Sequence, residues 1–357
     1  MNNLNVSAQN AGSNSTGETM FDWKWYLKDI RQDKDVKVFS TFSCGGGSTM
    51  GYKRAGFKVL GNVEIDPSMN AVYVKNNHPK YNFLMDLREF NEKNDLPDEL
   101  YNLDILDGSP PCSTFSTAGS REKAWGKEKV FREGQKKQTL DDLFFVFLDT
   151  VKKLKPKIVV AENVTGLLKG NAKGYVNEII KRFHNLDYDV QLFKLNAAKM
   201  NVPQARERVF FIANNQGYIK LKLNFDEKPI LFGEIKSKKG KKVTGTKSLE
   251  YISQMKRTDL DFADIRIRTE GKRSNFSTKI VWDDIVAPTL VSGSDFLRGD
   301  DKEWYSDDDC RNISSFPQDY NFGKENAKYI CGMSVPPNMM ANIATEIYKQ
   351  WISKTVK

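Results

Sequence analysis

A cysteine that follows two prolines is the residue best placed for covalent chemistry. Residues 103–119 read LDILDGSPPCSTFSTAG, and the apolar run at 103–107 predicts a short buried strand ended by a rigid turn. Both prolines fix φ and remove backbone donors, so Cys112 lies in a stiff loop at the carboxyl end of a strand, where open α/β sheets place their chemistry. Cys112 is therefore a candidate nucleophile. On this stretch alone a second interpretation stays open, in which Cys112 is a small core cysteine.

A carboxylate and two arginines are further candidate site residues. Glu162 follows the apolar strand predicted at residues 158–161, at the same edge of the sheet as Cys112. Loss of hydration there favours its protonated form, so we interpret Glu162 as a general acid. In VPQARERVFFI (residues 202–212), Arg206 and Arg208 alternate along a strand entry, which indicates two guanidinium groups directed at one anionic or carbonyl-rich target.

A glycine-rich loop predicts a nucleotide-like ligand. A β-prone run at residues 36–42 leads into SCGGG and then a short helix at 51–55. Glycines let a backbone approach a ligand closely, and the helix amino terminus offers free N–H groups. Gly45, Gly47 and Gly51 are spaced GxGxxxG rather than GxGxxG, which favours an adenosyl ligand without pyrophosphate over NAD.

Two acidic residues extend this predicted ligand site. Glu64 ends an apolar strand about 20 residues beyond the glycines, the offset at which a carboxylate binds ribose hydroxyls. S-adenosylmethionine is therefore the leading candidate ligand, although a solvated strand end remains the alternative for Glu64. Asp86 closes a third short apolar run, and we interpret it as an acceptor for the adenine amino group.

The composition predicts a globular chain with a polyanionic partner. Its 357 residues, 39% of them hydrophobic, can form one large core and a smaller second unit. The net charge of +9 favours nucleic acid or an anionic surface, and the lack of an 18-residue apolar run or a signal peptide disfavours a membrane. The four cysteines and two histidines lack metal-ligand spacing, so we expect a cytoplasmic protein without a metal. Nothing demands a dimer, and we expect a monomer.

The order of elements predicts an α/β fold. Strand and helix patterns alternate after residue 35, which is typical of a doubly wound, mostly parallel sheet. Residues 1–34 are expected to form a polar, disordered leader, because residues 1 to about 19 have almost no apolar side chains.

Taken in order, these segments resemble the C5-cytosine DNA methyltransferase family. The resemblance covers roughly residues 36–214 and 284–353. It rests on FSCGGGSTMG, VEID, the PPC turn, ENV, QARER, APTL, FPQDYNF and GMSVPP. Three positions depart from the family pattern: Cys44 stands where glycine is usual, Ser40 where aspartate is common, and Met333 where asparagine is usual. These departures concern cofactor affinity and leave the catalytic pair intact.

The resemblance implies a mechanism of methyl transfer. The Cys112 thiolate would add to cytosine C6 while Glu162 protonates or hydrogen-bonds N3, so that C5 becomes nucleophilic and takes a methyl group from S-adenosylmethionine. Arg208 would hold the cytosine O2, and Arg206 would support a closed loop or a phosphate. Because the ring is inaccessible in a duplex, the base would be flipped out. No metal is required.

The resemblance also implies a division of the chain and a set of contacts. We expect a catalytic domain at residues 35–214 and 285–357 and an inserted target-recognition domain at 215–284. Cofactor contacts are expected from Phe42, Gly45, Gly46, Gly47, Glu64, Ile65, Asp86, Leu87, Pro111 and Val335. DNA contacts are expected from Ser116 and Arg121 in the basic region after Cys112, and from Lys238, Lys239, Lys241, Lys242, Arg266, Arg268 and Arg273. The lysine run is either a phosphate clamp or a solvated turn.

Other functions stay open beside methylation of double-stranded DNA. One branch of the family acts on transfer RNA with nearly the same motifs, and the basic inserted segment favours DNA. A catalytically silent DNA-binding homologue is disfavoured by the presence of Cys112, Glu162, Arg206 and Arg208. An exocyclic-amine methyltransferase is disfavoured because those enzymes place an aromatic residue after the prolines, where this chain has Cys112.

Overall fold

An eight-stranded sheet forms the centre of the structure, which is a computed structural model. It describes residues 21–111, 143–169, 172–272 and 278–354, together with the backbone of three two-residue strands. Of the predicted site residues, Cys112, Ser116, Arg121 and Arg273 lie outside the described residues.

The strands alternate with helices along most of the described chain. The strands are β1 Val6–Ser7, β2 Lys37–Thr41, β3 Lys58–Glu64, β4 Tyr81–Leu84, β5 Ile105–Gly108, β6 Glu128–Lys129, β7 Gln138–Thr139, β8 Ile158–Val164, β9 Asp189–Asn196, β10 Gln204–Ala205, β11 Glu207–Asn214, β12 Lys279–Val281, β13 Ala287–Pro288, β14 Phe296–Arg298 and β15 Glu303–Trp304. The α-helices are α1 Gly47–Arg54, α2 Pro67–Asn77, α3 Leu87–Glu92, α4 Leu143–Leu154, α5 Ala172–Asn185, α6 Phe232–Ile235, α7 Thr246–Ser253, α8 Phe262–Glu270, α9 Asp307–Ile313, α10 Ala327–Met333 and α11 Pro337–Gln350.

The central sheet has the order β1-β9-β11-β8-β5-β2-β3-β4. Neighbouring strands from β8 to β4 pair in parallel, and β11 pairs antiparallel with both β8 and β9. The prediction of a mostly parallel sheet is therefore confirmed. Its parallel strands end at one edge, where β2, β4 and β5 lead into the glycine loop, Asp86 and the proline turn, and where β3 and β8 carry Glu64 and Glu162.

Helices cover both faces of this sheet, as a doubly wound fold requires. On one face, α4 (LFFVFLDTVKKL) packs its apolar side chains, among them Phe144 and Phe147, onto the strands. On the other face, α1 and α11 pack against each other and supply Tyr52, Met340 and Ile347 to a second core. The sheet is thus buried on both sides, which explains the apolar runs of its strands.

A separate small cluster marks the inserted unit. Its buried side chains come from α7, α8, β12 and β14, and they include Tyr251, Phe262, Ile280 and Leu297. Leu221, inside the predicted insertion at residues 215–284, packs instead in the main core. The hydrophobic clusters therefore favour an insertion that begins and ends later in the chain, because packing rather than the absence of shared motifs defines a unit.

The predicted leader is wrong for residues 21–34. Trp25 is buried, its indole N–H donates to the Ser315 carbonyl at 2.8 Å, and its ring lies 4.6 Å from the Arg54 guanidinium. Trp23, Trp25, Leu27 and Ile30 supply the apolar surface that anchors this segment. None of the described helices combines the length and apolar content needed to cross a membrane.

Candidate active site

The glycine loop and the end of β3 are joined by one carboxylate. Glu64 is buried and accepts hydrogen bonds from the backbone N–H groups of Cys44 at 2.7 Å and of Ile65 and Asp66 at 2.9 Å each. Burial raises its pKa, and the three donors oppose that rise. Three acceptor positions are used, so one remains for a ligand hydroxyl.

Close packing explains the glycines of the loop. Gly46 has φ 87°, and a Cβ on Gly47 would lie 2.2 Å from the Val335 carbonyl oxygen. Cys44 has φ 45° at the position where the family usually has glycine. A positive φ has a steric cost for cysteine that glycine does not have. The replacement of the usual glycine by Cys44 therefore introduces local backbone strain.

An open cleft of about 850 Å³ lies beside Glu64. Six of the predicted cofactor residues line it: Phe42, Glu64, Ile65, Asp86, Leu87 and Pro111. A smaller adjoining cavity includes Gly47 and Val335, whereas Gly45 and Gly46 line neither space. Most of the predicted cofactor residues therefore line one concave surface beside the glycine loop.

Most of the remaining cleft wall was not predicted, although Cys44 and Met333, which also line it, are positions already linked to cofactor affinity. Asp66 and Met69 belong to the amino terminus of α2, and Tyr329 and Met333 come from α10. Asp66 carried a usable signal, since an aspartate before a proline is a helix N-cap, and it does cap α2 by accepting from the N–H groups of residues 68 and 69. The α10 residues are more than 260 positions away from Glu64, and only the fold brings them together.

An ion pair occupies the carboxyl edge of the sheet. Arg208 Nε lies 2.8 Å from Glu162 Oε1, and both side chains are largely buried. In the antiparallel ladder Arg208 faces Val164, two residues from Glu162, so the two side chains are diagonal neighbours on one face. The Arg208 guanidinium is a partner of Glu162 that the sequence did not predict. Burial lowers the pKa of Arg208, and Glu162 opposes that shift.

The strand that carries Glu162 also holds the proline turn. The side-chain amide of Asn163 donates to the Pro110 carbonyl at 3.1 Å. Gly108, just before the turn, has no room for a side chain, because a Cβ would lie 2.5 Å from the Phe147 ring and 2.6 Å from Thr41 Oγ1. The turn that leads to Cys112 is therefore fixed to the Glu162 strand, although Cys112 itself lies outside the described residues.

The two arginines of QARER have different partners, so the interpretation that both face one target is not supported. Arg206 is buried and donates to the carbonyls of Leu290 at 3.3 Å and Gly332 at 3.1 Å. It lies in the break between β10 and β11, where the alternation of a continuous strand does not apply. Burial, followed by the charge of Arg208, lowers the pKa of Arg206 to about 9. Arg206 therefore links the segment that contains Leu290 to the end of α10 that contains Gly332.

The described cysteines are poor nucleophiles. Burial raises the pKa of Cys44 and of Cys310 to about 12, and it raises the pKa of Cys331 well above its ordinary value. A thiol is nucleophilic as its thiolate, so these three groups are inert at neutral pH. The described residues also hold no group of three or more His, Cys, Asp or Glu side chains that could bind a metal ion.

A buried aspartate lies under the glycine loop. Asp107 pairs in register with Ser40, whose hydroxyl donates to its carboxylate at 3.3 Å, and the Tyr52 hydroxyl donates at 3.2 Å. The carboxylate absent at position 40 is thus present on the neighbouring strand. Burial raises the pKa of Asp107 from 3.8 to about 7, a rise that the hydroxyls oppose and the charge of Glu162 supports.

We expect Asp107→Asn to stabilise the protein at pH 8. The pKa of Asp107 is raised in the folded state. Its contribution to the free energy of unfolding is therefore fully present below pH 3.8, the ordinary pKa of an aspartate, and is lost as the pH rises through about 7. The variant should unfold in urea with a free energy about 1–3 kcal/mol higher than the parent at pH 8, and with no gain at pH 4. Asp104→Asn is the control, since Asp104 accepts from Lys37 N and pairs with Lys157, and it should give no gain. Equal loss at both pH values in Asp107→Asn would refute the assignment.

The predicted DNA contacts of the insertion divide into two groups. Lys241 pairs with Asp307 at 2.7 Å, Arg268 with the buried Asp259 at 2.6 Å, and Arg266 with Glu270. Lys238, Lys239 and Lys242 are exposed and form no ion pair with the described residues. A phosphate clamp therefore rests on these three lysines.

The sheet has helices on both faces and a cleft at the carboxyl ends of β2, β3 and β5. This arrangement is typical of α/β enzymes that bind a nucleotide-like ligand. A family profile is more specific. The chain belongs to the C-5 cytosine-specific DNA methylase family, whose profile matches residues 36–349.

Curated relatives and solved structures agree with this family. The type II methyltransferase M.NgoPII of Neisseria gonorrhoeae is 35% identical over 191 residues, 53% of this chain and 51% of that protein. M.Sau96I of Staphylococcus aureus is 27% identical and covers 90% of this chain and 77% of its own length. The chain thus spans about half of M.NgoPII. A crystal structure described as a DNA modification methyltransferase from an E. coli prophage has a TM-score of 0.65 at 20% identity, covering 88% of this chain and 99% of that one. A Spodoptera frugiperda DNMT2 mutant has a TM-score of 0.62 at 15% identity, covering 88% and 100%.

Proposed function

We propose that this protein transfers a methyl group from S-adenosylmethionine to carbon 5 of a cytosine in double-stranded DNA. The observation that carries the proposal is the Glu162–Arg208 pair, because β8, the strand that carries Glu162, also anchors the proline turn that leads to Cys112. A thiol next to a carboxylate at one edge is the arrangement that addition to cytosine C6 requires. Membership of the C-5 cytosine-specific DNA methylase family supports DNA as the substrate.

Cys112, Glu162 and Arg208 have different roles in the proposed reaction. The Cys112 thiolate adds to C6, which makes C5 nucleophilic, and the Glu162 side chain holds the proton at the cytosine N3. Arg208 keeps Glu162 in place and donates to the cytosine O2. Methyl transfer to C5 would leave the cofactor as the neutral thioether S-adenosylhomocysteine. The C5 proton would then pass to water, and its C–H electron pair would re-form the C5–C6 double bond as the thiolate leaves C6. The base is flipped out of the duplex for this chemistry.

The cleft beside Glu64 suits S-adenosylmethionine. Glu64 has one acceptor position left for a ribose hydroxyl, and Asp86 lies on the same wall with its carboxylate shared between the N–H of residue 88 and the Arg88 guanidinium. Phe42 and Leu87 supply apolar surface for an adenine ring. When bound, S-adenosylmethionine supplies an electrophilic methyl group. No metal enters this scheme.

Three exposed lysines are proposed to bind the DNA backbone. Neutralising Lys238, Lys239 and Lys242 together to glutamine should weaken DNA binding across sequences and reduce the slope of log affinity against log salt by about 2–3. Lys236→Gln is the matched control, because Lys236 is paired with Asp283 and Asp301 and should change the slope little. A changed preferred site at constant affinity would instead make the run a reader of bases.

The proposal is tested with tritiated S-adenosylmethionine, a duplex DNA library and a pool of transfer RNA. Label in the DNA supports it, and nuclease digestion should then locate the label in 5-methylcytosine. Label in transfer RNA alone would replace DNA with RNA as the substrate. No label in either, with DNA still bound, would indicate a silent DNA-binding homologue.

A further inference from the structure

The carboxylate of Asp107 is buried without a cation beside it. Asp107 is 3% exposed, and its carboxylate accepts hydrogen bonds from the hydroxyls of Ser40 and Tyr52. The Ser48 hydroxyl also favours the ionised form of this carboxyl group. No Lys, Arg or His of the described residues forms an ion pair with it. Buried carboxylates are normally paired with a positive charge, so this site is incomplete as it stands.

A small cavity connects this carboxylate to the cleft. Asp107 lies in its wall together with Ser43, Gly47, Ser334 and Val335. The cavity and the cleft share four lining residues, namely Phe42, Cys44, Ser109 and Met333. Asp107 therefore lies next to the cleft, on the side of the glycine loop.

We propose that Asp107 binds the ammonium group at the methionyl end of the cofactor. The inference rests on the proposed use of S-adenosylmethionine, and it adds the residue that recognises the amino acid portion. The ammonium group is the one hydrogen-bond-donating cation that such a ligand brings, and it supplies the charge that the protein leaves out. The surrounding hydroxyls of Ser40 and Tyr52 hold the carboxylate in place.

Binding should be coupled to loss of a proton. The titratable and polar groups that face Asp107 are Ser40 from β2, Ser48 and Tyr52 from α1, Tyr73 from α2 and Glu162 from β8, and none of them is cationic. With a pKa of about 7, Asp107 is partly protonated at neutral pH in the free protein. An ammonium partner favours the ionised form, so affinity should rise as the pH increases through about 7 and protons should be released on binding.

Calorimetric titration with two ligands tests the assignment. S-adenosylhomocysteine carries the whole amino acid portion, whereas 5′-methylthioadenosine has the same adenosine and sulfur without it. At pH 8 Asp107→Asn should bind S-adenosylhomocysteine about 10- to 100-fold more weakly, the range of one charge-assisted hydrogen bond. Its affinity for 5′-methylthioadenosine should stay within about twofold, which also shows that the variant is folded. Asp86→Asn is the matched variant, and it should weaken both ligands alike.

The outcomes separate this inference from the function on which it rests. If the unaltered protein binds S-adenosylhomocysteine and Asp107→Asn binds it equally well, the assignment of Asp107 is wrong while the cofactor stands. An equal loss for both ligands would also overturn it, since it would indicate a structural role. If the unaltered protein binds neither ligand, the proposed cofactor fails and the inference fails with it. Proton release that disappears in Asp107→Asn would support the inference independently of affinity.

Discussion

Replacement of Cys112 by alanine is expected to abolish methyl transfer, with a loss on the order of 10⁴-fold or more, as when other covalent nucleophiles are removed. The reason is chemical: without the sulfur no bond forms at cytosine C6, and C5 stays too electron-poor to attack a methyl donor. DNA binding should remain within about threefold, because a thiol makes little contribution to phosphate contacts. Rates are measured by transfer of tritium from the cofactor, and binding by gel shift in the same buffer.

Cys310→Ala is the matched control for this substitution. Cys310 is buried in the core of the carboxyl-terminal region, and its raised pKa keeps it a thiol. Its replacement should lower stability modestly and leave the rate per folded molecule unchanged. Substantial activity in Cys112→Ala would mean that another group attacks the base, and the three described cysteines are disfavoured for that role by their raised pKa values.

Glu162→Gln is expected to reduce the rate of methyl transfer by about 10²- to 10⁴-fold, the range for loss of a positioned acid or base. Glutamine has the same shape and its amide oxygen can still accept from Arg208, so the strand and the proline turn should be retained. What is lost is the group that holds the proton at cytosine N3. Single-turnover rates separate this effect from product release.

Glu207→Gln is the control for the carboxylate. Glu207 lies on the adjacent strand, is exposed and pairs with Lys194 at 2.9 Å, so removal of its charge should change the rate less than twofold. The proposal would be contradicted if Glu162→Gln kept the parent rate, or if both substitutions slowed the reaction equally, since the second result would report the field of the region and not a specific contact.

The parts of the site that lie next to strands in sequence were predictable, because parallel strands bring their carboxyl ends to one edge. The positions of Glu64, Asp86 and Glu162 follow from this rule alone. Partners from distant segments were not predictable. The pairing of Glu162 with Arg208 depends on β11 running antiparallel to β8, and the anchoring of Arg206 depends on the carbonyls of residues 290 and 332.

Asp107 shows why burial pattern alone misses a polar residue. Its strand reads ILDG and is buried throughout. In the sequence, however, the aspartate resembles the polar residue that ends an apolar strand. Only the register with Ser40 and the approach of Tyr52 reveal a carboxylate enclosed by hydroxyls. The lysines of the insertion are also indistinguishable in the sequence. In the structure Lys236 and Lys241 form ion pairs with aspartates, whereas the other lysines of the run are exposed.

Covalent trapping on 5-fluorocytosine tests the central claim most directly. Fluorine at C5 cannot leave as a proton does, so the enzyme should remain bonded to the base after methyl transfer. With a duplex library containing 5-fluorocytosine and added S-adenosylmethionine, we predict a denaturant-resistant complex whose cross-linked peptide contains Cys112, and which is absent in Cys112→Ala. Methylation of ordinary duplex DNA without such a complex, or a cross-link at any other residue, would contradict the mechanism.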